Sequence, residues 1–346
     1  MKTERILVTG SSGFIGGHIA ASLVKSGREV LAQYRRPIPP PHLLSSSDEG
    51  VELIRVDLSN SGDIDKLVDG ITGVIHAAAF VSDYGPYELF YDNNYQATVD
   101  LLTAARKAGA KRFVFVSSIT VHGFGEHDNT NEDGPYFKLT SHYQRTKKMA
   151  EEYILSQSTA SFPCTAIRPG LVYGPRDDTT LSPVFKMLER GMLPFIGGFE
   201  KLNCPVYVED LVDAAILAYD NPSVGGMVFN ITSGERTSLR GPIELAAELL
   251  SVKPPRIDVP VAVAYTGAAV LEGVARLLRL KNAPILTLYR ISQLAHNFHF
   301  SIERARNYLG YSPSIPWPEG LRRAIDAYLD VSGRDHGDLG APQSQE

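Results

Sequence analysis

The sequence predicts an α/β fold: a doubly wound parallel sheet with a smaller, mostly helical C-terminal lobe. Three observations carry this. Short apolar runs alternate with helical patterns through the first half of the chain. A glycine-rich turn joins the first apolar run to the first helix. After Gly174 the alternation stops and helices separated by Pro and Gly take over.

In order, the first half reads as a strand at 6–8, a helix at 14–26, a strand at 29–34 and a Pro/Ser loop at 37–50. A strand at 51–56, a short helix at 64–68 and a strand at 74–76 follow. A long helix at 91–108 ends at Gly109, where glycine suits the C-cap. Strands at 112–116 and 164–168 flank a helix at 141–158. Beyond Gly174 the expected helices are 182–190, 208–219, 239–250, 261–280, 302–309 and 318–329, with short strands near Val206 and at 227–231. The expected division is a dinucleotide-binding domain at 1–174, a substrate lobe at 175–330 interleaved with it, and a disordered tail at 331–346, which is polar and rich in Gly and Pro.

The 346 residues suffice to bury a sizeable core, and 43% hydrophobic with 21% charged is ordinary for a globular protein. A net charge of −5 argues against a nucleic-acid partner, which favours a basic face. The two cysteines, Cys164 and Cys204, form neither a disulfide framework nor a metal spacing, so no metal is expected and a reducing compartment suits them. The first strand and its glycine turn lie within ten residues of Met1, leaving no room for a signal peptide. No run of eighteen apolar residues exists. A cytoplasmic location is the expectation.

Thr9-Gly10-Ser11-Ser12-Gly13-Phe14-Ile15-Gly16 follows the first strand and opens the first helix. Gly10 permits the tight turn, Gly13 lets backbone approach a pyrophosphate, and Gly16 lets the helix pack on the sheet. The helix N-terminus, with Ser12, Phe14 and Ile15 around it, offers N–H groups to the anion. This context makes a Rossmann-type nucleotide site out of an otherwise weak glycine trio. Which dinucleotide binds is read at the end of the second strand. There the sequence has Arg35 and Arg36 and no acid until Asp48, which suits the 2′-phosphate of NADP better than the 2′-hydroxyl of NAD; NAD stays possible. Asp57 and Leu58, after the third strand, stand where an adenine edge is held. Ala77, Ala78 and Ala79, after the fourth, offer small side chains along the cofactor's path.

Tyr143 and Lys147 share one helix face at i, i+4 spacing. Of 16 tyrosines, this alone has a lysine four residues on. The ammonium is expected to lower the pKa of the phenol, which then exchanges a proton with a substrate oxygen. Ser118, after the fifth strand, is placed to hydrogen-bond that oxygen.

These residues resemble the extended short-chain dehydrogenase/reductase superfamily over nearly the whole chain. Its TGxxGxxG motif is matched by residues 9–16, and its active-site serine, tyrosine and lysine by Ser118, Tyr143 and Lys147. The asparagine of its long fourth helix is matched by Asn94. Residues 168–175 look like its loop beside the nicotinamide, which implies cofactor contacts from Pro169 and Val172. Residues 207–214 look like its YVDDLVDA helix start, with Asp210 a helix-end residue without chemistry. Many members dimerise, which implies a homodimer.

Two branches compete. The segments 82–88, 284–290 and 298–310 are similar to the 3β-hydroxysteroid dehydrogenase-like branch, which implies alcohol–ketone interconversion on a hydrophobic, steroid-like or long-chain 3-oxo acid substrate. Between the last two segments and the preceding lobe runs the apolar stretch 261–280, with Glu272, Arg276 and Arg279. It lines a hydrophobic cleft, rests on a membrane surface or is plain core. The nucleotide-sugar epimerases share the scaffold but are less well matched: the acid for NAD is missing, and Val121-His122-Gly123 replaces their VYG. A cofactor-binding regulator without chemistry is the third reading, disfavoured because the Ser/Tyr/Lys set is intact.

Overall fold

A computed structural model describes residues 4–37, 50–278, 280 and 283–332. Its centre is a seven-stranded, all-parallel sheet: β1 (Arg5–Thr9), β2 (Glu29–Tyr34), β3 (Val51–Arg55), β4 (Gly73–His76), β5 (Phe113–Val116), β6 (Cys164–Pro169) and β7 (Val228–Ile231). The spatial order is β7-β6-β5-β4-β1-β2-β3. The winding reverses between β1 and β4, which pair in register from Ile6 opposite Gly73 to Thr9 opposite His76. In open α/β sheets the ligand crevice lies beyond the carboxyl ends of the strands at such a reversal.

Both sheet faces are covered, so the strands read as continuous apolar runs. One face packs under the Phe14–Lys25 and Val208–Asp220 helices, with Ile6, Val8, Ile19, Leu23 and Leu211 in its core. The other packs under the Ala97–Lys107 and His142–Ser156 helices around Leu7, Leu101, Phe113, Phe115 and Ile154. β7 and the Val208–Asp220 helix come from beyond Gly174, so the second half of the chain supplies the sheet's last strand and one of its covering helices.

The long helix expected at 91–108 starts earlier, at Tyr87, and is not uniformly α: Tyr91–Gln96 is a π turn. Its wider winding carries Asn94, which is buried. The short helix expected at 64–68 is a 3₁₀ segment at Ser61–Lys66. The expected loop at 37–50 lies mostly outside the described residues. Of the expected tail, Val331 and Ser332 close the Trp317–Ser332 helix and the rest lies outside the described residues.

The lobe holds helices Leu181–Glu189, Arg240–Leu249, Val261–Leu277 and Leu288–Ala295. Two-stranded pairs stitch it to the sheet domain. Phe298–Phe300 lies parallel to His127–Thr130, and Pro205–Tyr207 to Leu171–Tyr173. The apolar stretch expected at 261–280 ends as helix at Leu277, and Arg279 lies outside the described residues. Ala264, Ala268, Glu272 and Ala275 face inward. Val263, Val270, Leu271, Val274 and Leu277 are exposed, so the helix is not plain core. Among the described residues no helix is long and apolar enough to cross a membrane.

Candidate functional site

The glycine turn is built as the motif requires. Gly10 has φ +68°, and a Cβ there would stand 2.8 Å from the Ala78 Cα. A Cβ at Gly16 would stand 2.4 Å from the Gly10 carbonyl oxygen. Neither position tolerates a side chain. Gly13 is exposed, caps the first helix in extended conformation, and donates its own N–H to the Gly10 carbonyl at 2.8 Å. Ser12, Phe14 and Ile15 are half-buried around it. Ala77, Ala78 and Ala79 are half-buried on the facing strand end, so the turn meets only small side chains across the β1–β4 crevice.

Two residues that sequence reasoning passed over hold this turn. Gln33, buried near the end of β2, accepts from the Gly10 N–H (2.9 Å) and donates to the Val56 carbonyl (2.6 Å). His76, the last residue of β4, is buried between Thr9 Oγ1 (2.7 Å) and Thr98 Oγ1 (2.9 Å). The tautomer follows from the neighbours. Thr98 Oγ1 donates to the Asn94 carbonyl (2.8 Å), so it accepts from Nε2–H. Nδ1 then accepts from Thr9, whose oxygen in turn accepts the Ala78 N–H at 3.1 Å. Burial, with the nearby Lys147 charge, pushes the imidazole down to about 3, so it stays neutral. The one available signal was a polar residue inside an otherwise apolar strand.

Asn94 completes the chain. Its side-chain oxygen accepts the Phe80 N–H (2.7 Å), and its amide donates to the Phe80 carbonyl (3.1 Å) and to Thr146 Oγ1 (3.3 Å). It therefore ties the segment after β4 to the Tyr143 helix. Arg35 and Arg36 are exposed at the end of β2; Arg35 donates to Asn93 Oδ1 at 2.9 Å. Asp57 is exposed and folded into a turn, accepting from the Ser59 N–H (3.0 Å) and hydroxyl (2.8 Å). Leu58 is core. Pro169 ends β6, and half-buried Val172 lies on the short strand after it.

The His142–Ser156 helix starts at a capping box. Ser141 Oγ accepts the Gln144 N–H, and Gln144 Oε1 accepts the Ser141 N–H, both at 3.1 Å. This sets Tyr143 in the first turn. Ser118 N-caps the 3₁₀ turn Ile119–His122, accepting the Thr120 N–H at 3.3 Å, and stands close enough to Tyr143 to pull the phenol's pKa down. Lys147, 2% exposed, donates to the Val116 carbonyl (2.6 Å) and lies over the Phe115 ring at 4.0 Å. The serine, tyrosine and lysine thus converge at the carboxyl end of β5, beside the glycine crevice.

The electrostatics differ from the sequence expectation. Desolvation pushes the Tyr143 phenol up to about 12, against the smaller pull of Ser118. Desolvation also brings Lys147 down to about 7, opposed by Glu151 one turn on. An amine so easily neutralised does not by itself acidify the phenol. The protein alone holds Tyr143 protonated.

A model of the NAD dependent epimerase/dehydratase family matches residues 6–232. The chain belongs to that family. Within it, the 2-alkyl-3-oxoalkanoate reductase of Stenotrophomonas maltophilia (strain K279a) is 31% identical over 330 residues, spanning 92% of this chain and 98% of that protein. The sterol-4-alpha-carboxylate 3-dehydrogenase, decarboxylating, of Mus musculus is 28% identical over 340 residues, spanning 94% and 91%. Among solved structures, MoeE5 in complex with UDP-glucose and NAD superposes with a TM-score of 0.73 at 26% identity, spanning 95% of this chain and 99% of that one. This epimerase/dehydratase-family chain is therefore a nicotinamide-dinucleotide-dependent enzyme acting on a small molecule.

One departure from the nucleotide-sugar pattern, His122, has a structural explanation. The ring is buried, stacks on Tyr136 (4.6 Å between centroids, 3° between planes) and accepts from Arg168 Nη1 at 2.8 Å. Burial and the Arg168 charge hold its pKa down to about 3. Arg168 also forms a fork on Glu151, at 2.9 and 2.6 Å, with both side chains almost wholly buried. His122 therefore braces the strand behind the site. Asp210 is likewise a scaffold residue: its carboxylate accepts the Ser314 N–H at 2.8 Å. Cys164 and Cys204 are buried free thiols, which burial pushes up to about 12.

Proposed function

We propose that this chain is an NADPH-preferring oxidoreductase that interconverts a ketone and a secondary alcohol on a mainly hydrophobic substrate. The observation that carries the reading is the end-to-end likeness to a 2-alkyl-3-oxoalkanoate reductase, and four arginines of the lobe held by carboxylates agree with it. A nucleotide-sugar site needs positive charge for a diphosphate. Here Arg236 pairs with Asp128, Arg240 with Glu200 and Glu244, Arg290 with Asp83, and Arg304 with Glu132 and Asp133. The apolar character of the 261–278 region supports the same reading.

A bound nicotinamide supplies or accepts the hydride. Gly10, Gly13 and the first helix N-terminus would take its pyrophosphate, with Ser12, Phe14 and Ile15 alongside. Asp57 and Leu58 would border the adenine, and Ala77 to Ala79, Pro169 and Val172 the path to the nicotinamide. Arg35 and Arg36 would take the 2′-phosphate; the sequence has no acid between Tyr34 and Asp48, which supports NADPH over NADH. In the reducing direction Tyr143 gives its phenolic proton to the carbonyl oxygen as negative charge develops there. Ser118 donates a second hydrogen bond to that oxygen, and Lys147 holds the ribose and supports the phenol.

Purified protein with NADPH and a long-chain 2-alkyl-3-oxoalkanoate should consume cofactor in proportion to substrate. Tyr143→Phe should lower turnover by about 1,000-fold or more and leave cofactor affinity within about threefold. Epimerisation of UDP-glucose with bound NAD and no net redox change would overturn the reading. A homodimer, a cytoplasmic location and contact of the exposed aliphatic helix with a membrane surface are part of the same proposal. Sedimentation and vesicle flotation test the first and last.

A further inference from the structure

One cation beyond Gly174 stands apart from the carboxylates and reaches the first helix. Arg176 follows the short strand Leu171–Tyr173 in Gly174-Pro175-Arg176-Asp177. Its backbone has φ +67°, a left-handed conformation that a residue with a side chain adopts at a cost. The next residue locks it there. Asp177 is buried, and backbone groups engage its carboxylate: Oδ1 accepts the Thr179 and Thr180 N–H groups at 3.2 and 2.9 Å, and Oδ2 the Leu181 N–H at 3.2 Å. That carboxylate thus starts the Leu181–Glu189 helix and does not turn back to its neighbour. Asp178, exposed, acts on the guanidinium through space. Among the described residues no carboxylate forms an ion pair with Arg176.

The side chain crosses instead to the helix that the glycine turn opens. Arg176 Nη2 meets His18 Nδ1 at 2.9 Å. His18 lies one turn into the Phe14–Lys25 helix, with its ring edge-on to Phe14 at 5.3 Å. The same Nδ1 lies 2.8 Å from the Phe14 carbonyl. One ring nitrogen cannot donate to that carbonyl and accept from the guanidinium together. His18 is therefore a weak hold on a half-buried charge, one turn from the N–H groups that open the helix. The glycine turn itself, Thr9 to Gly16, contains no lysine or arginine. A dinucleotide's diphosphate carries full negative charges, and a helix N-terminus opposes them with partial charge alone.

We propose that Arg176 is a cofactor-binding residue, whose guanidinium leaves His18 for the diphosphate of the dinucleotide and supplies the full positive charge that the glycine turn lacks. This rests on the reading of Gly10, Gly13 and the first helix N-terminus as the diphosphate site. A guanidinium prefers an oxyanion to a neutral imidazole nitrogen, which gives the exchange its direction. The left-handed backbone is then a conformation held for binding. Because the diphosphate is common to NAD and NADP, this grip does not discriminate between them, unlike that of Arg35 and Arg36. It also makes the second half of the chain a partner in holding the cofactor.

Calorimetric titration of the whole chain with NAD and with NADP tests it. Arg176→Ala should weaken both by about tenfold to a hundredfold, and by the same factor. Arg176→Lys should recover part of the loss. Between about 0.05 and 0.5 M NaCl the wild-type affinity should fall more steeply than that of Arg176→Ala, because salt screens the charge that the variant lacks. Arg176→Gly suits the positive φ and keeps the loop foldable should Arg176→Ala misfold; it should lose the same affinity while melting within a few degrees of wild type. Binding of both cofactors within about twofold of wild type, a loss confined to NADP, or salt slopes that coincide overturns the inference. If Gly10→Ala abolishes binding of both cofactors while Arg176→Ala and Arg176→Gly bind as wild type does, this inference alone falls. If Gly10→Ala binds as wild type does, the reading of the cradle falls and takes the inference with it.

Discussion

A lysine sealed among apolar atoms makes the stability of this protein depend on pH in a way that one substitution isolates. Lys147 is 2% exposed and its amine is brought from 10.5 to about 7, chiefly by desolvation. In the unfolded chain the amine titrates near 10.5. Between about pH 7 and 10.5 the unfolded state therefore binds the extra proton, and stability rises with pH. At about 1.4 kcal/mol per tenfold change in proton affinity, the full difference is about 5 kcal/mol, an upper bound. Lys147→Met removes the titrating group and keeps the stem. Between pH 7 and 9, wild type should gain on the methionine variant by up to about 3 kcal/mol. For 346 residues the unfolding entropy is about 0.7 kcal/mol per degree, so the two Tm curves should converge or separate by about 4 °C over that range. Thermal melts of cofactor-free protein measure it. The other buried groups, His76 and the two thiols among them, are common to both proteins and cancel in the difference. Parallel Tm–pH curves would refute a desolvated Lys147.

Three further outcomes follow from the same geometry. Glu151→Gln leaves the Arg168 charge buried without its counter-charge; a cost of about 3–5 kcal/mol should appear as a Tm lower by about 4–7 °C. Gly10→Ala forces a side chain onto the Ala78 backbone at a positive φ. It should cost about 1–3 kcal/mol of stability and abolish cofactor binding measured by NADPH fluorescence. Arg35→Ala with Arg36→Ala should raise the KM for NADPH by about tenfold or more and leave that for NADH within twofold; equal effects on both would remove the case for a 2′-phosphate site.

What was legible in the sequence is what local chemistry encodes. The glycine turn is a backbone requirement, so Gly10 and Gly16 announce it. Tyr143 and Lys147 share a helix face by spacing alone. The electrostatics were not legible, because a pKa depends on what surrounds a group: Lys147 was expected to act on Tyr143, and desolvation dominates both. The bracing residues were hidden for a similar reason. Gln33 and His76 reveal a role only when β1, β2 and β4 are side by side, and His122 only when Arg168 and Tyr136 close on it. The π turn at Tyr91–Gln96 leaves no trace in hydrophobic period. The strand Phe298–Phe300 is three residues long and finds its partner about 170 positions earlier, beyond any local signal.

That distant pairing bears on how the protein is made. Strands β1 to β6 lie within the first 169 residues and form six adjacent strands of the parallel sheet. A chain leaving the ribosome can close the nucleotide cradle while the lobe is still being translated. His127–Thr130 waits for Phe298–Phe300. The order of synthesis therefore separates cradle and lobe in time: the glycine turn and its strands come first, and the pairing that ties the lobe to the sheet domain comes only when the last fifth of the chain has folded back.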